Sequence, residues 1–338
     1  MSLLRTCIYV IFAVYFNVMK TLNRFIISDW FRTLQDNICT SLEKCDGKGV
    51  FEEEIWQRPG GGGGRTRVIQ NANIIEKGGV NFSEVHGILP EKIGAALNVH
   101  GHDFFASGVS IVMHPFSPFV PIIHMNVRYF ELSSGEKWFG GGIDLTPICI
   151  DPKQAKEFHI AIKNVCDKHH PDYYPEFKKW ADEYFFIKHR NETRGIGGIF
   201  FDRLAETENI SLSDRFHFVQ DVGNLFAPVY TDLMQMNKDI AYGKKEKQIQ
   251  LLRRGRYVEF NLVYDKGTKF GLDTDGRTES ILMSMPPQAS WKYNHKPAKN
   301  SKEAETNELL KQGIDWVEWE VGNRTQDTGI DIRQGKGK

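Results

Sequence analysis

The stretch IIHMNVRYFE, residues 122–131, carries polar side chains of catalytic type at every second position. In an extended strand, alternate side chains point to opposite faces, so one face would present His124, Asn126 and Arg128. An imidazole can move protons near neutral pH, and a guanidinium can hold a carboxylate through two charge-assisted hydrogen bonds. The spacing therefore predicts a polar surface for an anionic ligand.

A second stretch, GVSIVMHP, alternates in the same way and places Ser110 and His114 on one face. If the two strands are neighbours, these side chains extend the same polar surface. A lone histidine is more often a structural hydrogen-bonding group than a ligand. Two histidines in adjacent strands, together with Ser, Asn and Arg, favour a site.

Two further stretches add charged groups. In WFGGGIDLTP, Asp144 follows three glycines, which permit a bulky ligand to approach the backbone closely. Alternatively, Asp144 caps the turn toward Thr146, and the sequence leaves both interpretations open. In TDGRTES, Arg277 lies in a predicted turn and suits one more carboxylate.

The glycine run at residues 60–64 lacks the Lys-Ser/Thr pair of a phosphate-binding loop. Because Arg65 and Arg67 follow it, the run is either a loop that closes over an anion or a flexible surface loop. His159 and His189 lie on two predicted helices. With the two strand histidines they could ligate a metal, but their spacing matches no metal signature, so we expect hydrogen bonding instead.

Composition excludes several classes of protein. The chain has 338 residues, with 43 Lys plus Arg and 43 Asp plus Glu, and this balance disfavours nucleic acid as a partner. The five cysteines form no C-x-x-C pair, which argues against a zinc knuckle and a disulfide framework. No redox-cofactor motif is present, so an oxidising enzyme of this sequence would depend on the reactivity of its substrate.

Strands and helices are grouped along the chain instead of alternating strictly. Period-two patterns predict strands between residues 104 and 145, and two later strands in GRYVEFNLVYD and RTESILMSMPP. Helical spacing predicts helices at residues 28–47, 151–169, 174–190, 213–238 and 305–317. This grouping predicts an α+β single domain with a large, mainly antiparallel β-sheet flanked by helices on both faces.

This domain is predicted to cover residues 28–322. Residues 1–27 form an extension with an apolar core and no acidic residue, as in a signal or transit peptide, or an extension packed on the body. Its apolar run is too short for a stable membrane span. The tail, residues 323–338, is predicted to be disordered.

Several of these stretches, together with KKWADEYFFIKHRNETRGIGGIFFD, resemble the oxygen-dependent coproporphyrinogen III oxidases of haem synthesis. The resemblance runs from about Asp29 to Trp316. It implies an antiparallel sheet flanked by helices and a homodimer formed through about residues 257–288. It also implies that dioxygen converts two propionates of coproporphyrinogen III to vinyls, giving protoporphyrinogen IX and two carbon dioxides. No cofactor is expected to be required, and a divalent metal is left open.

The resemblance also implies roles for individual residues. His124 matches the proton donor, and Asp144 and Arg128 match groups needed for activity. The substrate-binding positions it implies are Ser110, Asn126, Val127, Arg128, Asp275, Gly276 and Arg277. The histidines that match a proposed metal site are His114, His124, His159 and His189.

The chain departs from the usual family pattern at two places. Ile148 and Cys149 follow DLTP where aromatic residues are common, and Asp275 stands where a glycine is common. We expect different packing and different contacts there. The alternative functions are a histidine-ligated metal-dependent oxygenase and a non-catalytic tetrapyrrole-binding protein. The preferred location is cytoplasmic, with the mitochondrial intermembrane space as the alternative.

Overall fold

The computed structural model describes residues 22–89, 91, 94–95, 102–273 and 276–320. Most of the predicted amino-terminal extension, the predicted disordered tail and Asp275 lie outside the described residues. In the described part, no helix is long and apolar enough to cross a membrane.

Seven of the described strands form one sheet, in the order β1-β2-β3-β4-β5-β6-β9, and every neighbouring pair is antiparallel. Strands β7 and β8 form a small separate hairpin. The strand bounds are β1 (Glu52–Gln57), β2 (Gly62–Gln70), β3 (Ile75–Ile88), β4 (Asp103–Pro115), β5 (Ile122–Leu132), β6 (Lys137–Thr146), β7 (Phe186–Ile187), β8 (Glu192–Thr193) and β9 (Gly197–Ala205). The predicted α+β class with a large antiparallel sheet is confirmed.

Helices cover both faces of this sheet, as predicted. Their bounds are α1 (Arg24–Asp46), α2 (Pro152–His169), α3 (Tyr173–Tyr184), α4 (Leu212–Asn237), α5 (Lys244–Val263), α6 (Lys266–Asp273), α7 (Thr278–Leu282) and α8 (Lys302–Leu309). Helices α1 and α4 pack against one face, where Met125 and Val127 lie in the main apolar core. We call this the packed face. Helices α5 and α7 contact the opposite face, which carries Asn126 and Arg128 and which we call the site face.

Local sequence signals explain how several helices begin and end. Asp151 caps α2 through the backbone N–H of Lys153, with Pro152 in the first turn, as predicted. Gly47 ends α1 with φ +79°, a conformation that glycine adopts without strain. The prediction that Ser28 begins this helix was wrong, because Asn23 caps it and Ser28 is buried one turn inside.

The two late strands were predicted wrongly. GRYVEFNLVYD lies within α5 and its C-terminal end, and α7 occupies part of RTESILMSMPP. The alternation in YVEFNLVY matches a strand period, but a helix places Tyr257 and Asn261, four residues apart, on the same side toward the sheet. Burial of that side against the sheet decided between the two periods.

Three other local predictions are corrected by the structure. The helix predicted at 174–190 ends at Tyr184, and the β7–β8 hairpin follows. The last helix spans Lys302–Leu309, well short of the predicted end at 317. Much of the glycine run lies in strand β2, and the adjoining Arg65 and Arg67 pair with Asp36 and Glu53 of this chain.

Candidate active site

Sheet register brings the predicted polar residues onto the site face. Ser110 of β4 lies opposite Asn126 of β5, and His124 of β5 lies opposite Asp144 of β6. Ser110 is exposed, although most of its strand is buried. The row from Asn81 on β3 through Ser110, Asn126 and Gly142 to Phe200 on β9 crosses four strand spacings, about 19 Å. An accessible polar surface of this width suits a large ligand.

Asp144 is a buried carboxylate held by two neighbours. Arg194, in the segment before β9, donates from Nη2 to Asp144 Oδ2 at 2.6 Å, and His124 Nδ1 lies 3.5 Å from the same oxygen. Burial favours the neutral acid, but the charge of Arg194 and the neighbouring imidazole outweigh it, so the pKa of Asp144 lies below its usual value. Asp144 is therefore a buried anion, and the alternative role as a cap for the turn at Thr146 has no hydrogen bond to support it.

His124 lies between Asp144 and α5. Its Nε2 is 2.6 Å from Tyr257 Oη, and its ring stacks on the Tyr257 ring with centroids 5.0 Å apart. Burial and the nearby Arg194 lower the pKa of His124, although Asp144 opposes this shift. The imidazole is accordingly neutral at neutral pH and can both accept and donate a proton.

Tyr257 and Asn261 connect His124 to Arg194. Asn261 Nδ2 donates to Tyr257 Oη at 2.9 Å, and Arg194 Nη1 donates to Asn261 Oδ1 at 2.9 Å. With His124 and Asp144 these three residues form a closed ring of polar contacts, which we call the buried ring. All five side chains are buried or nearly buried, so each contact operates with little screening by water.

Arg128 is the accessible guanidinium of the site face, with 37% of its side chain exposed. It donates to Asn126 Oδ1 at 2.8 Å and to Asp202 Oδ1 at 2.9 Å. A Cβ on Gly140 would lie only 2.5 Å from Asp202 and 2.7 Å from Arg128, so this glycine makes room for the pair. The glycine triplet therefore allows Arg128 to reach across β6.

Arg277 approaches the same face from the start of α7. It pairs with Glu54 on the edge strand β1, and its Nη1 is buried without a hydrogen-bond partner. The adjacent α7 is fixed to the sheet by Asn81, which donates to the Ser280 carbonyl at 3.0 Å. Gly276 closes the preceding turn by donating its N–H to Gly271 O at 2.8 Å. Arg277 thus presents an unsatisfied donor beside an exposed carboxylate.

Val127 does not share the site face. Its side chain is fully buried in the core of the packed face, because neighbouring residues of a strand point to opposite sides. That Val127 binds substrate stays a prediction, and it can concern only the backbone of this residue, because the sheet separates its side chain from Ser110, Asn126 and Arg128. Ile148, where the chain departs from the pattern of the family it resembles, is buried in a small cluster with Ile122 of β5 and Ile249 of α5.

The four histidines do not come together. His114 lies near His124, with its ring edge against Tyr257 and its Nε2 2.8 Å from Ser284 O. His159 uses both ring nitrogens in a buried contact with Tyr174 Oη and Ile196 O, both at 3.0 Å.

His189 likewise uses both of its nitrogens, on Tyr264 Oη and Glu259. Among the described residues, no three His, Cys, Asp or Glu side chains are placed to hold a metal ion. The four-histidine metal set therefore does not fit this structure, because two of its members are committed to other partners elsewhere.

Sequence reasoning missed three members of the buried ring. Arg194 lies in the stretch NETRGIGG, which shows no strand or helix period, and it reaches Asp144 only through the fold. Tyr257 and Asn261 were assigned to a strand and to a subunit contact. An arginine between two short turns is a weak signal, and only the i, i+4 spacing on α5 could have linked the other two.

The site can hold carboxylates and move protons. Arg128 and Arg277 are cations whose present partners, Asp202 and Glu54, are themselves partly exposed. The buried ring contains a carboxylate and an imidazole in contact, the usual pair for proton transfer. The arrangement suits a large anionic substrate that must lose a proton.

Comparison with known proteins agrees with this chemistry. The model of the family described as coproporphyrinogen III oxidase matches residues 26–316. Similar curated proteins include the oxygen-dependent coproporphyrinogen-III oxidases of Prochlorococcus marinus strains NATL2A and NATL1A, each 47% identical over 307 residues, which cover 84% of this chain and 88% of the relative. The protein of that name from strain MIT 9301 is 46% identical over 309 residues, covering 84% of this chain and 90% of the relative. The chain belongs to the coproporphyrinogen III oxidase family.

Proposed function

We propose that this protein catalyses the oxygen-dependent oxidative decarboxylation of two propionates of coproporphyrinogen III to vinyls, giving protoporphyrinogen IX for haem biosynthesis. Family membership supports the reaction. The observation that carries it to this chain is the site face, where an accessible Ser110–Asn126–Arg128 row adjoins the buried Asp144–His124 pair. A tetrapyrrole with four carboxylates and four pyrrole N–H groups needs both parts.

Substrate binding depends on carboxylate exchange at the arginines. In the free protein Arg128 is paired with Asp202 and Arg277 with Glu54, and all four side chains retain 25–64% of their exposure. Such exposed pairs contribute only about 0–1 kcal/mol, so a substrate carboxylate can replace the internal one at low cost. Ser110 and Asn126 offer hydrogen-bonding groups between the two arginines.

The chemical step must remove two electrons from each propionate. The carboxylate leaves as carbon dioxide, and the carbon next to the pyrrole loses one hydrogen as a proton. Dioxygen takes the two electrons, that proton and a second proton from solvent, and leaves as hydrogen peroxide. The electron-rich pyrrole supplies the reactivity toward dioxygen. Asp144 is an anion that stabilises positive charge developing on the pyrrole or accepts its proton, and the adjacent His124 handles that proton.

We propose that dioxygen is the only co-substrate and that no organic cofactor or metal is required. The dispersed positions of His159 and His189 support this choice over a metal-dependent oxygenase. The homodimer through about residues 257–288 is also a proposal, as is a cytoplasmic location in preference to the mitochondrial intermembrane space.

The test is turnover of anaerobically prepared coproporphyrinogen III by the purified protein, in air and under argon, each with and without EDTA. We expect protoporphyrinogen IX to form only in air, to the same extent with EDTA, with one hydrogen peroxide for each vinyl. Loss of activity in EDTA that added metal restores would favour the metal-dependent oxygenase. Binding without product under every condition would instead indicate a non-catalytic tetrapyrrole-binding protein.

A further inference from the structure

Tyr257 is a buried tyrosine that contacts both strand histidines and has no role in the reaction described above. Its side chain is fully buried, and its Oη lies 2.6 Å from His124 Nε2, 2.9 Å from Asn261 Nδ2 and 3.0 Å from Ser284 O. Three polar groups thus meet at one buried phenol oxygen. Their proton arrangement is restricted, because the phenol has one proton to donate.

The protons can be assigned by counting donors. A carbonyl oxygen only accepts, so His114 Nε2, at 2.8 Å from Ser284 O, carries a proton. Ser284 O has a second lone pair and lies 3.0 Å from the phenol, so it is also an acceptor for the phenol proton. The amide Nδ2 of Asn261 only donates, so it uses one acceptor position of the phenol oxygen. Of the two acceptors, His124 Nε2 is the nearer at 2.6 Å, and Ser284 O already accepts from His114, so we assign the phenol proton to His124 Nε2.

This assignment fixes the tautomer of His124. If Nε2 accepts the phenol proton, a neutral imidazole carries its proton on Nδ1, which faces Asp144 Oδ2 at 3.5 Å. The other tautomer would turn the Nδ1 lone pair toward a carboxylate, and the partial negative charge of that lone pair would be repelled by the anion. In the first arrangement the donors run in one direction, from Arg194 through Asn261 and Tyr257 to His124, whose Nδ1–H faces Asp144.

We propose that Tyr257 is a positioning residue for the reaction, which holds His124 as the Nδ1–H tautomer with that proton directed at Asp144. Asn261 donates to the phenol and accepts from Arg194. Tyr257 therefore holds the imidazole of His124, and Arg194 holds the carboxylate of Asp144. The inference rests on the proposed function for its kinetic consequence. The tautomer itself is a property of the substrate-free protein.

The first measurement is the imidazole ¹⁵N spectrum of full-length protein labelled at the histidine ring nitrogens, at neutral pH without substrate. The chain has 11 histidines, and a His124→Gln variant assigns the signal of interest. We expect His124 of the wild type to be protonated on Nδ1 only. In Tyr257→Phe we expect a substantial fraction of the Nε2–H form. A wild-type His124 protonated on Nε2, or a tautomer unchanged by Tyr257→Phe, would overturn the proposal.

The second measurement is steady-state kinetics of the same variant. Because Tyr257 is fully buried, it does not reach the accessible part of the site face. We therefore expect kcat to fall about 10- to 100-fold while KM changes by less than about threefold. Tyr230→Phe is a matched control. It removes another fully buried phenol oxygen, bonded to Pro121 O at 3.2 Å beneath the packed face, and should leave kcat within about twofold.

Equal losses of kcat in the two phenylalanine variants would show general loosening and contradict the positioning role. A wild type without turnover would refute the proposed function but would leave the tautomer prediction standing, because that spectrum is recorded without substrate. The two proposals can therefore fail separately.

Discussion

The two faces of the sheet are built from the same strands but have opposite character. On the packed face, Met125 and Val127 are at most 1% exposed and belong to the main apolar core. On the site face, Arg128 is 37% exposed in its side chain and Ser110 is accessible. Adjacent residues of one strand thus serve stability on one side and chemistry on the other.

This difference explains how the polar side chains of the site face are held in place. Apolar side chains on the packed face hold each strand in place. The polar side chains on the site face therefore extend from a rigid backbone. Where the site face is also buried, at Asp144 and Arg194, the two charges are paired with each other in the buried ring. Substitutions on the two faces should accordingly affect different measured quantities.

The largest effect is expected for Asp144→Asn. The change removes the carboxylate next to His124 and leaves the buried Arg194 without its counter-ion, so kcat should fall about 100- to 10,000-fold. Breaking the buried pair should also lower the free energy of unfolding by about 3–5 kcal/mol, so activity is normalised to the folded fraction from circular dichroism.

Asp46→Asn is the control for this variant. Asp46 is another buried carboxylate with a lowered pKa, but it caps backbone N–H groups of Gly49 and Ile74 far along the chain from the ring. It should lose stability and retain its kcat. If Asp144→Asn were as active as this control, the buried ring would have no catalytic role.

Arg128→Ala should affect binding and turnover together. A substrate carboxylate would lose charge-assisted hydrogen bonds worth about 1.5–3 kcal/mol, so kcat/KM should fall roughly 10- to 150-fold with little change in stability. Arg128→Lys keeps the charge but loses the two-pronged geometry and should recover only part of the loss. Wild-type kinetics in Arg128→Ala would show that the Ser110–Asn126–Arg128 row is not part of the substrate-binding surface.

Val127→Ala tests the packed face, where a substitution should change stability and leave the kinetics unchanged. The substitution creates a cavity in the core beneath the site face and should lower the free energy of unfolding by about 1–3 kcal/mol in urea denaturation. The folded enzyme should keep kcat/KM within about twofold of the wild type. A loss of kcat/KM comparable to that of Arg128→Ala would show that the two faces are not independent.

The smallest effect concerns His159, which lies outside the site. Burial lowers its pKa from 6.5 to about 3, so below pH 6.5 the unfolded chain binds a proton that the folded chain does not. Stability therefore falls as the pH is lowered, by roughly 1–2 kcal/mol between pH 7 and pH 5 from this residue.

His159→Gln should reduce this dependence, measured as the free energy of unfolding in urea at both pH values. Its kcat should stay within about twofold of the wild type, with or without EDTA. An inactive but stably folded His159→Gln would restore this residue to the reaction.

The sequence predicted the site face well because strand alternation is a local property. His124, Asn126 and Arg128 share a face as a direct consequence of their spacing, and the neighbouring strand adds Ser110 through an ordinary antiparallel pairing. The start of α2 at Asp151 and the end of α1 at Gly47 were predicted from capping chemistry, which is also local.

What the sequence could not predict depends on contacts between distant segments. Arg194 reaches Asp144 across 50 positions of the chain, and no periodic pattern marks it. The segment around Tyr257 alternates like a strand, and only burial of its i, i+4 side against the sheet makes it a helix. Val127 was included through the family resemblance, although strand alternation already places its side chain on the other face.

If the substrate binds on the accessible part of the site face, a bulky side chain at Ser110 should block binding, so Ser110→Trp is the decisive variant. Ser110 is exposed, so the fold can accommodate an indole at this position. The indole would cover the site face between Asn81 and Asn126. The control is Thr40→Trp, an exposed position on α1. Anaerobic titration with coproporphyrinogen III should show binding to the wild type and the control but not to Ser110→Trp, with all three melting at similar temperatures. Normal binding to a folded Ser110→Trp would contradict the account.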